Sequence, residues 1–157
     1  MSTTKAAISV SLGVTIATTA AEDPASGGAT KSYRGLDKRL ACNATSTPPV
    51  TQAYVEYLSG NQTLDLTALV RTGLATLNAT GLKLQAIEIV NLSTTNTVTV
   101  ANGDTSAYAL QGGQSIVVQP GGFALMQFYD KLADVAAGVK NIKITATDTY
   151  LLGMVFG

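Results

Sequence analysis

The chain of 157 residues holds no histidine and one cysteine, Cys42, against ten acidic and ten basic residues. Without an imidazole, a Ser-His-Asp or Cys-His relay has no base, and the usual zinc ligand set loses a main member. Cys42 has no histidine to activate it and no second cysteine to bridge, so it reads as a small apolar filler. Among the acids, Asp65, Glu88 and Asp148 fall within or between apolar stretches, and no spacing pairs two of them as acid and base. Asn102-Gly103-Asp104, and Asp130 with Asp134, carry oxygen ligands of the kind calcium takes. The same residues are turn and helix-cap chemistry, which is the simpler reading. The glycine pairs Gly112-Gly113 and Gly121-Gly122 lie between strand patterns with no helix following, so they do not form a phosphate-binding loop. The sequence therefore points to no catalytic residue, cofactor or metal, and to a chain that is not an enzyme.

Two other groups could make contacts. Lys31, Arg34, Lys38 and Arg39 gather in nine residues with only Asp37 opposing them. The chain as a whole has zero net charge, unlike the strong basic excess of a nucleic-acid binder, so this stretch is expected to meet solvent or another subunit. Tyr54, Tyr57 and Tyr108 are candidates to face a ligand, and a sugar is the ligand a tyrosine platform would take. Four Asn-x-Ser/Thr triplets, at Asn43, Asn61, Asn78 and Asn91, arise by composition in a chain so rich in Asn and Thr.

These positions need a scaffold, and the pattern of apolar residues supplies it. From residue 81 onward, short alternating stretches are punctuated by glycine turns: Leu82–Ala86, Ile87–Ile89, Thr97–Val100, Ser115–Val118, Phe123–Phe128, Ile142–Ile144 and Tyr150–Phe156. Period-two alternation fits a pleated sheet with one buried face. Many short strands separated by Gly, Pro and Asn predict an all-β antiparallel sandwich of jelly-roll type. The core is expected to contain Leu84, Ile87, Ile89, Val98, Val100, Val117, Leu125, Ile142, Ile144, Leu152 and Val155. The apolar phase changes between Ala86 and Ile87, which requires a bulge or burial on both faces. Gln119-Pro120-Gly121-Gly122 predicts a type II turn. Thr51–Leu58 and Thr63–Leu66 predict a hairpin about Gly60-Asn61, and 141–146 with 150–156 predict a second one. A helical turn at Ala68–Arg71 is one reading of 67–80, and Asp130 to Gly138 predicts the single short helix.

Ahead of this sandwich, assigned to residues 51–157, lies a region of different character. Ile8, Val10, Leu12, Val14 and Ile16 alternate with Ser9, Ser11, Gly13 and Thr15, which reads as one strand over 6–19 and not as a continuously apolar signal segment. Residues 20–50 read as a long irregular connection. Within 1–50, the alternating residues and the basic stretch are candidate subunit-interface positions, the first strand suiting an arm that pairs with a neighbour's sheet edge. No apolar run approaches the ~18 residues of a membrane span. With 46% hydrophobic and only 13% charged residues, against about 25% charged in ordinary domains, the composition favours a subunit whose surface lies against other subunits.

Over about residues 60–157 the chain resembles small virion structural proteins of tailed bacteriophages. The stretches that carry the likeness are Gly81-Leu-Lys-Leu-Gln-Ala-Ile-Glu-Ile-Val-Asn91, the Val98/Val100 strand, Ser115 to Gly122 and the ending Asn141 to Gly157. The resemblance implies a non-enzymatic protein of the virion that self-associates or docks on a capsid or tail, with capsid decoration or a minor capsid role favoured. Partners would then be copies of itself and other virion proteins. A carbohydrate- or receptor-binding sandwich module is the alternative.

Overall fold

Strands account for nearly all the regular structure, as the alternation requires. The computed structural model describes residues 50–128 and 131–157, together with the backbone of four N-terminal strands. Those four are β1 (Ala6–Val10), β2 (Gly13–Ala17), β3 (Thr30–Arg34) and β4 (Lys38–Cys42). Then follow β5 (Gln52–Ser59), β6 (Gln62–Asp65), β7 (Leu69–Arg71), β8 (Leu74–Leu77), β9 (Leu84–Asn91) and β10 (Val98–Asn102). After a 3-10 turn at Gln111–Gly113 come β11 (Ile116–Val118), β12 (Phe123–Gln127), β13 (Asn141–Thr145) and β14 (Thr149–Phe156).

Eight strands make two four-stranded antiparallel sheets. Sheet I has the order β12-β9-β14-β5 and sheet II the order β11-β10-β13-β6. Numbered along the chain, the first of the eight pairs with the last, the second with the seventh, the third with the sixth and the fourth with the fifth. This nesting is a jelly roll, a long antiparallel ribbon wrapped so that each paired set of strands passes from one sheet to the other. The two hairpins expected from sequence are therefore corrected. β5 and β6 lie in different sheets, as do β13 and β14, and Gly60-Asn61 and Thr147-Asp148 are corners between the layers. The corners are tied together: the Ala146 amide donates to Asn61 Oδ1 at 3.1 Å and the Gly60 amide to the Asp148 carbonyl at 3.4 Å. A sandwich edge crossed by two paired strands turns both at the same place, which a local turn pattern cannot announce.

The core lies between the facing sides. Leu84, Ile87, Ile89, Val98, Val100, Ile142, Ile144 and Leu152 are each 2% exposed or less. Of the other three, Val155 is buried as expected, although on the outer side, and two differ. Val117 is 53% exposed because its neighbours Ile116 and Val118 take the inward phase of β11. Leu125 and Val155 sit on the outer side of sheet I, half-buried and buried respectively. At the phase break both sequence readings hold. Val155 opposes Ala86 while Phe156 opposes Leu84, leaving Gln85 as a bulge, and Leu84 through Ile87 are all buried.

Gly122 donates its amide to the Gln119 carbonyl at 2.9 Å, and Gly121 has φ 67°, so the predicted type II turn forms. The expected helix does not. Val135, 1% exposed, exchanges backbone bonds with Gly81 and Leu82, and Asp134 pairs with Lys83 at 3.0 Å. So short a helix gains too few bonds to offset nucleation, whereas extended backbone here gains partners from 81–83. Asp130 itself lies outside the described residues. Residues 67–80 likewise form a hairpin, β7–β8, not a helical turn, with Leu69 and Leu77 buried beneath it.

Residues Ala7–Ala41 form a compact unit by themselves. Here β1 pairs with β4 in one two-stranded sheet, and β2 pairs antiparallel with β3 in another. The single strand expected over 6–19 is thus two strands, and the supposed irregular connection supplies their partners.

Candidate interaction surface

Strand registers decide which side chains share the two outer faces. On sheet II the outward positions read Val117–Thr99–Thr145 across three strands, then Ala101–Lys143–Thr63. That is the polar outer face expected of an antiparallel sandwich. Its charges are paired, Lys143 with Asp104 at 2.8 Å and Lys140 with the nearby Asp65 at 2.5 Å. Burial pushes the Asp65 carboxyl up, but hydrogen bonds from Lys140 and from the Thr67 hydroxyl and amide, with the lysine's charge, hold it below its ordinary value.

Sheet I breaks the rule. One row across all four strands reads Tyr57–Leu151–Val90–Phe123, and the next reads Val55–Gly153–Glu88–Leu125. The third is Ala53–Val155–Ala86–Gln127. Tyr57, Val55 and Phe123 are 70%, 61% and 62% exposed. At the far end Ala86 and Val155 are buried. Side chains directly opposite on adjacent strands are close enough to form a continuous surface, so nine apolar side chains and Gly153 surround one carboxylate. Gly153 leaves a depression at the centre of the middle row. A Cβ there would stand 3.8 Å from Glu88 Cβ and 4.0 Å from Glu88 Oε2, so the carboxylate forms one wall of the hollow.

The edge beside this face belongs to β5, which among the described residues pairs with β14 alone. The β7–β8 hairpin is pinned to it, since Glu56 accepts the Thr72 amide at 2.6 Å and the Thr72 hydroxyl at 2.9 Å. Between them runs a groove of about 300 Å³ lined in part by Tyr57, Leu58, Ala68 and Val70.

A second, polar feature closes one end of the sandwich. Asn91, 1% exposed, donates its side-chain amide to the carbonyls of Asn96 (2.8 Å), Val118 (3.1 Å) and Gln119 (3.1 Å), and its Oδ1 accepts the Ser93 amide at 3.0 Å. The Ser93 hydroxyl donates to Asp148 Oδ2 at 2.5 Å, and Asn96 Nδ2 does so at 3.0 Å. These two bonds hold the Asp148 carboxyl below its ordinary range. The Ser93–Asp148–Asn96 bonds latch this corner of the sandwich. A cleft of about 480 Å³ opens here, lined mainly by Ser and Thr hydroxyls and Asp148.

The candidate residues read from sequence scatter over these features. Tyr54 and Tyr108 are core residues, 1% and 0% exposed, and cannot face a ligand; only Tyr57 is at the surface. Burial raises the pKa of both, with Glu56 adding to it for Tyr54; for Tyr108 the Leu84 amide works against burial and Asp134 with it. The oxygen pairs considered for calcium are otherwise occupied: Asn102 Oδ1 accepts the Leu110 amide at 2.9 Å, Asp104 holds Lys143 and Asp134 holds Lys83. Among the described residues no three His, Cys, Asp or Glu side chains cluster as a metal site. Ile8 and Val10 lie on β1, Val14 and Ile16 on β2, Lys31 and Arg34 on β3, Lys38 and Arg39 on β4, and Leu12 lies outside the described residues. The outer face of sheet I was missed. Its signal was present as near-continuous apolar runs, Phe123-Ala-Leu-Met126 and Tyr150-Leu-Leu-Gly-Met-Val-Phe156, which mark strands apolar on both sides.

No family model, curated protein or solved structure matches this chain.

Proposed function

We propose that this protein is a non-enzymatic structural subunit of a virus particle, associating with copies of itself and with neighbouring virion proteins through the outer face of sheet I. The observation that carries the reading is the contrast between the two outer faces: one polar with paired charges, the other apolar in register across four strands. Exposed, contiguous apolar area costs free energy unless something covers it, and such patches mark interaction surfaces. A chain with only 13% charged residues supports the same reading. Jelly rolls serve in capsids and also in lectins and cupins, so topology does not choose among them. The virion assignment rests on the resemblance of residues 60–157. With Tyr54 and Tyr108 in the core, the tyrosine platform that motivated a glycan-binding alternative is lost.

Light scattering over a concentration series tests this, with electron microscopy of the purified protein showing the particle formed. Self-association that weakens in Tyr57→Ser and Phe123→Ser is the expected result. A wild-type chain that stays monomeric at the highest attainable concentration, and binds no other virion protein, would sink the proposal.

A further inference from the structure

The cleft of about 480 Å³ at the Asn91 corner is lined mainly by side chains that can both give and accept hydrogen bonds, with no lysine or arginine among them. Ser59 and Thr149 stand opposite each other on β5 and β14, Thr147 and Asp148 lie on the corner before β14, and Thr94 comes from the loop after β9. Leu92, 48% exposed, supplies the apolar part of the lining. The hydroxyls of Ser59, Thr94, Thr147 and Thr149 make no hydrogen bond among the described residues.

The walls are held in place before any ligand arrives. Ser93 Oγ accepts the amides of Thr95 at 3.1 Å and Asn96 at 2.8 Å and donates to Asp148 Oδ2, so the 93–96 loop and the carboxylate are fixed to each other. Asp148 Oδ1 takes no hydrogen bond and no ion pair among the described residues. A ligand therefore meets an oriented acceptor and several open hydroxyls, and little conformational freedom is lost on binding.

A ligand hydroxyl is the group that matches this wall. A phosphate or carboxylate would face Asp148 with no cation to offset the repulsion. A purely apolar ligand would strand the carboxylate and the hydroxyls away from water. A hydroxyl donates to Oδ1 in a charge-assisted bond and exchanges bonds with the threonines. The end of sheet I also offers apolar surface. Tyr57, 70% exposed, lies two residues from Ser59 on the same face of β5, about 6.6 Å along the strand. Tyr57 on β5 and Leu92 just past β9 stand on either side of β14. A sugar ring carries both kinds of surface, hydroxyls around its rim and C–H groups on its face.

We infer that this cleft binds a neutral sugar, a hexose or N-acetylhexosamine unit of a glycan. Asp148 Oδ1 accepts a sugar hydroxyl, Thr94, Thr147 and Thr149 complete the polar contacts, and Tyr57 lies against the C–H face. The site is separate from the tyrosine platform expected from sequence, and it does not depend on the self-association proposed above.

Ligand-observed NMR on the full-length chain, with glucose, galactose, mannose and N-acetylglucosamine as separate probes, tests this. Dilution below the association range keeps the two readings apart, so failure of either leaves the other standing. At least one probe is expected to bind in the millimolar range or tighter, and binding by none of the four would overturn the inference. For the sugar that binds, Asp148→Asn is expected to weaken affinity about tenfold or more, because an amide N–H replaces the accepting Oδ1 while the amide oxygen still serves Ser93 and Asn96. Thr147→Val and Thr149→Val are each expected to weaken it about threefold, Tyr57→Ala about fivefold, and Thr145→Val on sheet II not at all. Melting temperatures check that each variant folds. Should Asp148→Asn unfold the corner, the two threonine variants decide alone, since their hydroxyls hold nothing within the described residues. Unchanged affinity in the Asp148 and threonine variants would place the sugar elsewhere and overturn the site. Glucuronate binding as tightly as glucose would show that Asp148 does not face the ligand, and calcium displacing the sugar would give the carboxylate a different partner; either result overturns it.

Discussion

Replacing Tyr108 with phenylalanine removes one oxygen from the interior while leaving the ring's shape unchanged. Tyr108 is 0% exposed, and its hydroxyl donates to the Ala133 carbonyl at 2.7 Å and accepts the Leu84 amide at 3.1 Å. The hydroxyl ties the loop after β10 to the first residue of β9 and to the 131–135 segment, which the backbone bonds between Val135 and residues 81–82 already bring together. Without it the Leu84 amide, on a fully buried residue, loses its acceptor, at a cost of about 1–3 kcal/mol. The Ala133 carbonyl keeps a second lone pair and adds less, up to ~1 kcal/mol. Together these give about 2–3 kcal/mol, a large part of the ~5–15 kcal/mol that stabilises a domain. Urea unfolding checks it: the midpoint should fall with an unchanged slope, and the melting temperature should drop by roughly 5–10 °C for a chain of this size. Tyr57→Phe is the control, since Tyr57 is 70% exposed, and it should stay within about 0.5 kcal/mol of wild type. A Tyr108→Phe chain as stable as the Tyr57→Phe one would show that water or a rearranged backbone satisfies both groups, and would refute the bridging role.

Three other outcomes follow from the same structure. Burial raises the pKa of Tyr54, Tyr108 and Tyr150, the last pushed up to about 12 with Tyr54 also contributing. Because the folded values exceed the unfolded value of ~10, the stability these groups contribute is complete below pH ~10 and is lost as pH rises through the folded values; absorbance of the phenolate against pH, with urea midpoints, would show late-titrating tyrosines and falling stability, and six tyrosines titrating together near their ordinary value in the folded protein would contradict it. Asn91→Ala strips three buried or half-buried carbonyls and the Ser93 amide of their partner, so about 2–4 kcal/mol should be lost by denaturant titration, and a loss under ~1 kcal/mol would mean the corner is not held by this side chain. Association through the apolar face should weaken less than about threefold from low salt to ~1 M NaCl, where screening reaches about 3 Å and acts mainly on exposed charges; dissociation in sedimentation at high salt would show that ion pairs, not apolar burial, hold the subunits.

Much of the candidate surface was hidden for a definable reason. Periodicity states that Tyr150–Phe156 and Phe123–Gln127 are strands, but in a run apolar at every position it cannot state which phase faces in. Val117 shows the ambiguity directly: Ile116-Val117-Val118 supports either phase, and the register of β11 on β10 puts Val117 outside. Tyr54 and Tyr108 show the opposite error. A tyrosine reads as amphipathic, and only the partners waiting for the Tyr108 hydroxyl make its full burial affordable. Segment 131–138 has helix-forming residues and no local reason to extend; its bonds to 81–83 come from far along the chain.

What the sequence determined by itself is the local vocabulary: strands from period-two alternation, the type II turn from Pro120-Gly121, and an all-β class from the spacing of both. Each follows from backbone sterics and side-chain period acting within a few residues. The tertiary structure alone decided that paired strands cross between sheets at Gly60-Asn61 and Thr147-Asp148, that β1 pairs with β4 and β2 with β3, and that Tyr57, Glu88 and Phe123 share one apolar face. Those features depend on which strands are neighbours and in what register. Neighbours are chosen by burial summed over the whole sandwich, so no local stretch of residues contains the choice.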